Sequence, residues 1–297
     1  MNSYSVKVTP LQAEKIKEIV ADYNCIFDVV QYSNWRAKTS SFQATYYTSG
    51  KLLVQGKDVS EVAQKIANVV GGKIVQNESI SSAQDVMLNV EKYVGTDESG
   101  KGDFFGPLVV AGVQVDENNK QKFIDLGIKD SKKLDDKKIL VLANQIKANA
   151  VHSVVVITPV KYNELYSKFS NLNKLLAWAH ARAIENILEK SPCSCALADK
   201  FGDESLIKNA LMKNGQNIEL KQMVRAEADI AVAAASVLAR AEYVKRMQEL
   251  ENKYELPLSK GASSKVVEQA KDFVQKYTYN RLNEVAKMHF KTANELK

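Results

Sequence analysis

Cysteine and histidine are both scarce in this chain, with three of each among 297 residues. Cys25, Cys193 and Cys195 form an odd set that builds no disulfide framework, which fits a reducing compartment. Cys193-x-Cys195 is half of a metal motif with no second Cys or His pair at finger spacing, so the thiols read as small hydrophobes. His152, His180 and His289 fall at a strand start, on a helix and near the tail, and none joins a Ser or Cys triad. No run of about 18 apolar residues is present to span a bilayer, and MNSYSVKVTP lacks the basic-then-apolar order of a secretory signal. The expectation is a cytoplasmic protein with no membrane partner.

Acidic residues are missing altogether from 29–57. The whole chain carries 41 Lys and Arg against 35 Asp and Glu, a net +6, which permits an anionic polymer as partner without requiring one. In the acid-free stretch Arg36, Lys38, Lys51 and Lys57 alternate with Tyr32, Trp35, Phe42, Tyr46 and Tyr47. A sheet with one helix-covered face exposes the other, and part of this set is expected there, where cations meet phosphates and rings pack on sugars or bases. The competing reading makes the rings cross-strand pairs that hold the sheet together.

Around that stretch, 9–22 reads as an amphipathic helix with Pro10 in its first position after Thr9. CIFDVVQY and SFQATYYTSGKLLVQG read as strands, the latter with a turn at Thr48-Ser49-Gly50, and 58–70 as a second helix ended by Gly71-Gly72. Polar, serine-bearing residues then separate two domains: a small substrate-binding domain over 1–80, a linker over 81–91, and a catalytic domain over 92–297. Further on, Asp135 caps a helix with Ile139, Leu142, Ala143 and Ile146 on its apolar face. Lys129, Lys132 and Lys133 ahead of it read equally as a solvated loop or a basic contact. HSVVVITP is a strand, NLNKLLAWAHARAIENILEK a helix, CALAD a strand ending in Asp199, and Glu227 precedes an Ala-rich helix able to approach a sheet closely. A last helical segment surrounds Val266–Lys276.

The stretch that organises the chain is KYVGTDESGKGDFFGPLVVAGVQV at 92–115. A strand runs into Asp97 and Glu98, and adjacent carboxylates are costly to ionise together unless a cation neutralises them. Read as a P-loop, GTDESGKG puts Gly102 where the magnesium-binding Ser or Thr belongs and sets two acids where phosphate would lie. As a dinucleotide fingerprint, GKGDFFG has its third glycine one residue late and leads into a strand rather than a helix. If the strands ending in Asp97 and Asp199 are parallel neighbours, their acids meet on one rim. Oxygen ligands without His or Cys select Mg²⁺ or Mn²⁺. Two such ions about 4 Å apart suit an in-line phosphoryl displacement, the chemistry of a nuclease. Spacing alone does not bring the acids together, since the chain offers 35 Asp and Glu to choose from.

TDESGKGDFFGPL at 96–108 closely resembles the signature of bacterial ribonuclease HIII, a branch of the type 2 ribonucleases H; ribonuclease HII relatives have Arg in place of Lys101. DSKKL at 130–134, NLNKLLAWAH at 171–180, the strand ending in Asp199 and AVAAASVLAR at 231–240 extend the resemblance over nearly all of 90–265. Ala179 departs from the Gly often found there, which bears on local packing alone. The resemblance implies an α/β, RNase H-like fold with a central mixed five-stranded sheet, preceded by a small N-terminal α+β domain similar to half of a TATA-binding protein. It also implies hydrolysis of the RNA strand of RNA/DNA hybrids by two metal ions, giving 5′-phosphate and 3′-hydroxyl ends, with a preference for runs of ribonucleotides. By position, Asp97, Glu98, Asp199 and Glu227 become the metal-binding acids, with Asp229 and Glu242 as alternatives for the fourth. Gly100, Lys101 and Gly102 form the loop that contacts the ribose-bearing strand, and Tyr32, Trp35, Arg36, Lys38, Tyr46 and Lys51 are the expected contacts of the small domain. A monomer is expected. The competing readings are a ribonuclease HII-like enzyme cutting at single embedded ribonucleotides and a non-catalytic nucleic-acid binder.

Overall fold

The computed structural model describes residues 2–30, 32–56, 59–70, 90–129, 131, 134–224 and 226–296. The chain divides into two compact units, Met1–Ser82 and Ala83–Lys297. Lys57, Gly71-Gly72, Lys132, Lys133 and all of the expected linker except 90 and 91 lie outside the described residues.

The first unit runs β1 Asn2–Lys7, α1 Pro10–Ala21, β2 Ile26–Asp28, β3 Ser33–Lys38, β4 Phe42–Tyr47, β5 Lys51–Gly56 and α2 Ser60–Val70. Its strands form an antiparallel sheet in the order β1-β5-β4-β3-β2. A capping box starts α1: Thr9 accepts from the Gln12 N–H, the Gln12 side chain returns the bond, and Pro10 fills the first turn. Ala13, Ile16 and Val20 of α1 pack with Val62, Ala63 and Ile66 of α2 over one sheet face.

Two strands here escape the sequence pattern. β1 is polar and pairs with β5 alone. β3 alternates inward Ser33, Trp35 and Ala37 with outward Asn34, Arg36 and Lys38, but only Trp35 is strongly apolar, so the two-residue period is masked. The expected strand CIFDVVQY shrinks to Ile26–Asp28. That alternation corrects the placing of two rings: Trp35 (4% exposed) and Tyr46 (7%) belong to the core beneath the helices, not to the open face.

The second unit runs β6 Lys92–Ser99, β7 Leu108–Asp116, α3 Glu117–Asp125, α4 Asp136–Asn149, β8 His152–Ile157, α5 Pro159–Phe169, α6 Leu172–Leu188, β9 Cys195–Asp199, α7 Glu204–Ala210 and β10 Glu219–Met223. A 3-10 turn at Ala226–Ala228, α8 Ile230–Tyr254, α9 Ser264–Tyr277, a 3-10 stretch at Tyr279–Glu284 and α10 Lys291–Asn294 complete it. The sheet is mixed and five-stranded, in the order β10-β9-β6-β7-β8, with β6–β9 and β9–β10 parallel and the other pairs antiparallel. Since both faces of β7 are covered, it reads as a continuous apolar run from Leu108 to Val113. α8 packs on Val109, Ala111, Val113 and Val115, and α4 packs on the outside of α8. α6 packs on Leu108 and Val110 from the other side, where Ala179 is fully buried. A side chain on Gly95 would place its Cβ 2.3 Å from the Ala231 backbone, so β6 and the alanine-rich start of α8 meet at backbone distance only because that Cβ is missing.

Candidate active site

Adjacent residues of a strand point to opposite faces, and β6 uses this to divide its two acids between the layers. Tyr93, Gly95 and Asp97 face α8: the Tyr93 hydroxyl donates to Asp229 at 2.6 Å, and the Ser236 hydroxyl favours the charged form of Asp97. Thr96 and Glu98 face α6, where fully buried His180 bridges them, Nδ1 lying 2.9 Å from Thr96 Oγ1 and Nε2 3.2 Å from Glu98 Oε2. Lys101 Nζ donates to the other Glu98 oxygen at 3.2 Å. Phe201 stacks on His180 with centroids 5.0 Å apart, and Lys101 Nζ lies 5.8 Å from the same ring.

β9 brings in the third acid. It runs parallel to β6 with Val94 opposite Ala196 and Thr96 opposite Ala198, so Asp97, near the end of β6, and Asp199, at the end of β9, lie on one rim. Asp199 Oδ1 accepts the Ala226 N–H at 3.2 Å, tying the strand end to the turn that holds Glu227. Of the three candidates for a fourth acid, Glu227 is the one whose charge reaches Asp199. Asp229 caps α8 through the Ala231 and Val232 N–H groups and takes the Tyr93 hydroxyl. Glu242 lies farther along α8, paired with Arg246 at 2.8 Å.

The electrostatics divide the acids unequally. Burial, then the charges of Glu98 and Asp199, push Asp97 up to about 7, against the Ser236 hydroxyl and the Glu98 N–H that favour its carboxylate. Burial works to raise Glu98 too, but His180 and Lys101 outweigh it and hold Glu98 down at about 2. Asp199 is raised, first by burial and then by the carboxylates of Glu227 and Glu98. Among the described residues no three His, Cys, Asp or Glu side chains are gathered so as to hold a metal ion as they stand. Glu98 is turned onto His180 and Lys101, while the charges of neighbouring carboxylates act on Asp97 and Asp199. This all-oxygen, charge-rich rim fits a hard divalent cation.

The glycine loop leaves β6 just beyond these acids. Gly100 has φ +85°, and a Cβ there would come 2.3 Å from the Pro107 carbonyl and 2.7 Å from the Tyr243 ring. Around the Gly102 Cα there is open space. His180, Phe201 and Ser236 were not singled out as site residues from sequence. The usable signal was His180, a polar residue on the apolar side of its helix and inside the NLNKLLAWAH motif.

The small-domain residues fall into two groups. Trp35 and Tyr46 are core rings, while Arg36, Lys38 and Lys51 project from the opposite face, where Tyr47 rather than Tyr46 supplies an aromatic. Arg36 already has a partner, its Nε donating to Asp28 at 2.7 Å. Asp28 is the residue just before the acid-free stretch and sits opposite Arg36 on β2. Tyr32 is 73% exposed in a left-handed turn, φ +63°.

Residues 94–293 match the family model described as Ribonuclease HII, and residues 6–72 match one described as a domain of unknown function (DUF3378). Ribonuclease HIII of Protochlamydia amoebophila (strain UWE25) is 40% identical, the match covering 100% of this chain and 98% of that protein. Ribonuclease HIII of Chlamydia felis (strain Fe/C-56) is also 40% identical, over 95% of this chain and 93% of its own length. Among solved structures, Bst-RNase HIII in complex with Mn²⁺ superposes with a TM-score of 0.68 at 27% identity, covering 99% of this chain and 97% of that one. Aquifex aeolicus RNase H3 gives 0.57 at 29% identity, over 96% and 99%. With both units covered by these full-length relatives, the chain belongs to the ribonuclease HIII branch of the ribonuclease HII family.

Proposed function

We infer that this chain is an endoribonuclease that hydrolyses the RNA strand of RNA/DNA hybrids, with Asp97, Glu98, Asp199 and Glu227 holding Mg²⁺ or Mn²⁺ at the sheet rim. The observation that carries the site is the parallel β6–β9 register, which sets the Asp97 and Asp199 strand ends side by side. Bound ions would neutralise charge on the scissile phosphate and make an attacking water more acidic, so the protein supplies no nucleophile of its own. The chain's residues orient the acids. The Glu98 N–H fixes Asp97, the Ala226 N–H fixes Asp199, and His180 with Lys101 keeps Glu98 ionised. Gly102, bare and facing open space, lets the backbone approach a 2′-hydroxyl, the group that separates RNA from DNA. The products carry 5′-phosphate and 3′-hydroxyl ends, and runs of ribonucleotides are the preferred substrate. The enzyme acts as a cytoplasmic monomer; among the described residues no helix is long and apolar enough to cross a membrane. A fluorescent hybrid incubated with and without EDTA tests the reading: cutting that EDTA stops supports it, and retention without cutting would indicate a non-catalytic binder.

Metal binding has a pH signature. Asp97, raised from 3.8 to about 7 in the folded protein, holds a proton there that the unfolded chain gives up earlier, so this group costs the metal-free fold stability as pH rises across that window. Glu98, held at about 2, titrates below it. A divalent cation relieves the repulsion, so Mn²⁺ should raise Tm more at about pH 8 than at about pH 5.5. At about 100 times Kd the gain is roughly 2.7 kcal/mol, or about 5–10 °C for a unit of this size. Equal shifts at both pH values would count against ligation by Asp97.

The first unit is proposed as a tethered substrate-binding module, its open face carrying Arg36, Lys38 and Lys51. Tethering makes its contact with a hybrid intramolecular once the second unit is bound. A folded fragment of residues 85–297 should therefore show a raised KM on long hybrids with kcat changed far less. Its salt dependence should be flatter, because fewer counterions are released. Unchanged KM and salt slope would refute the module.

A further inference from the structure

A lysine with none of its surface exposed lies in the C-terminal segment between the 3-10 stretch and α10. Among the described residues Lys287 has no carboxylate within ion-pair distance; its Nζ donates to the carbonyls of Asp103 and Gly106 at 2.8 Å each and of Phe105 at 3.4 Å. The Tyr162 ring centroid lies 5.6 Å away. Burying an ammonium without a counter-ion is expensive, and an apolar side chain of the same length would fill the space without that cost. The Nζ–H groups answer the carbonyls, which among the described residues have no other donor.

Those carbonyls belong to the turn that directly follows Gly100, Lys101 and Gly102. The backbone around Lys287 is built onto the same turn. Gly106 N–H donates to the Val285 carbonyl at 2.8 Å, Lys287 N–H to the Phe104 carbonyl at 2.9 Å, and Phe105 bridges Ala286. From α5, Asn163 accepts the Met288 N–H and donates to the Ala286 carbonyl, both at 2.9 Å, fastening the segment to the body of the fold. On the far side Gly261 donates to Asp103 Oδ1 at 2.6 Å.

We propose that Lys287 is a positioning residue for the Gly100–Gly102 loop: its ammonium gathers the carbonyls of the following turn and so sets the pose in which the loop meets the ribose-bearing strand. This rests on the reading of that loop given above. Asp97 and Asp199 stand on strands that Lys287 does not touch, so its effect falls on substrate recognition more than on the chemical step.

The test uses Lys287→Met in the full chain, which keeps an unbranched side chain one atom shorter and removes the donors. KM for a hybrid should rise about tenfold or more, the scale of losing hydrogen bonds to a charged group, with kcat at saturating hybrid changed far less. A fold merely weakened lowers the active fraction, and so kcat alone; that result, or unchanged kinetics, overturns the proposal. Lys287→Ala gives a second measurement if the Met variant does not fold. Propylammonium, which can donate to the carbonyls, should restore its KM, and tetramethylammonium, which cannot, should not; equal effects of the two overturn the proposal. Lys101→Ala separates the proposal from the reading beneath it. If that variant has a raised KM and the double variant with Lys287→Met is no worse, both residues act through the loop. Additive effects mean that Lys287 acts elsewhere, and an unchanged KM in Lys101→Ala removes the loop reading itself and this proposal with it.

Discussion

Replacing Asp97 by Asn is expected to abolish hybrid cleavage while leaving hybrid binding largely intact. The loss should be at least about 100-fold in rate, equivalent to roughly 2.7 kcal/mol of barrier. The change removes a charge and little else, since an Asn oxygen can still accept the Glu98 N–H that Asp97 accepts at 2.8 Å. A second readout moves the opposite way. Asp97 is raised to about 7 by burial and by neighbouring acids, so its neutral replacement should raise the metal-free Tm at about pH 8. Single-turnover cutting, hybrid binding and melting without metal together check it. Near wild-type turnover at saturating Mg²⁺ would remove Asp97 from the site.

Rates on duplexes with one, two, three, four or more consecutive ribonucleotides should rise steeply over the first few and then level off. If the Gly100–Gly102 loop contacts more than one 2′-hydroxyl around the scissile phosphate, an isolated ribonucleotide leaves some contacts unmade. Each lost hydrogen bond is worth about 0.5–1.5 kcal/mol, and a buried group left unpaired costs about 1–3 kcal/mol. Two such losses slow cutting by roughly two to three orders of magnitude. Initial rates on otherwise identical duplexes measure this. Equal rates on one and four would place the protein functionally with ribonuclease HII, despite its likeness to ribonuclease HIII.

Where the chain advertises its structure, it does so through long or strongly patterned elements. The capped helix after Asp135, the apolar strands that carry Asp97 and Asp199 toward their ends and the alanine-rich helix after Glu227 all stand where their sequences put them, though β6 runs on to Ser99. The elements that escaped notice are short or polar, as in α3 and β10, or depend on one residue, as β3 depends on Trp35. Burial of Trp35 and Tyr46 shows the limit of composition, which finds aromatics among lysines but not the face on which each lands until the register is known. His180 was hidden for a different reason. Its role depends on Glu98, 82 residues away in sequence, and no spacing rule reaches across a sheet.

The split of Asp97 and Glu98 between the two faces of β6 makes the site a report on assembly. Asp97 faces α8 in one layer and Glu98 is held by His180 of α6 in the other, while Asp199 and Glu227 arrive still later in the chain. A nascent chain that has just made β6 therefore carries both acids with neither layer in place to hold them. On the proposed reading of these acids as the metal site, cutting ability would be withheld during synthesis until the sheet has been closed from both sides.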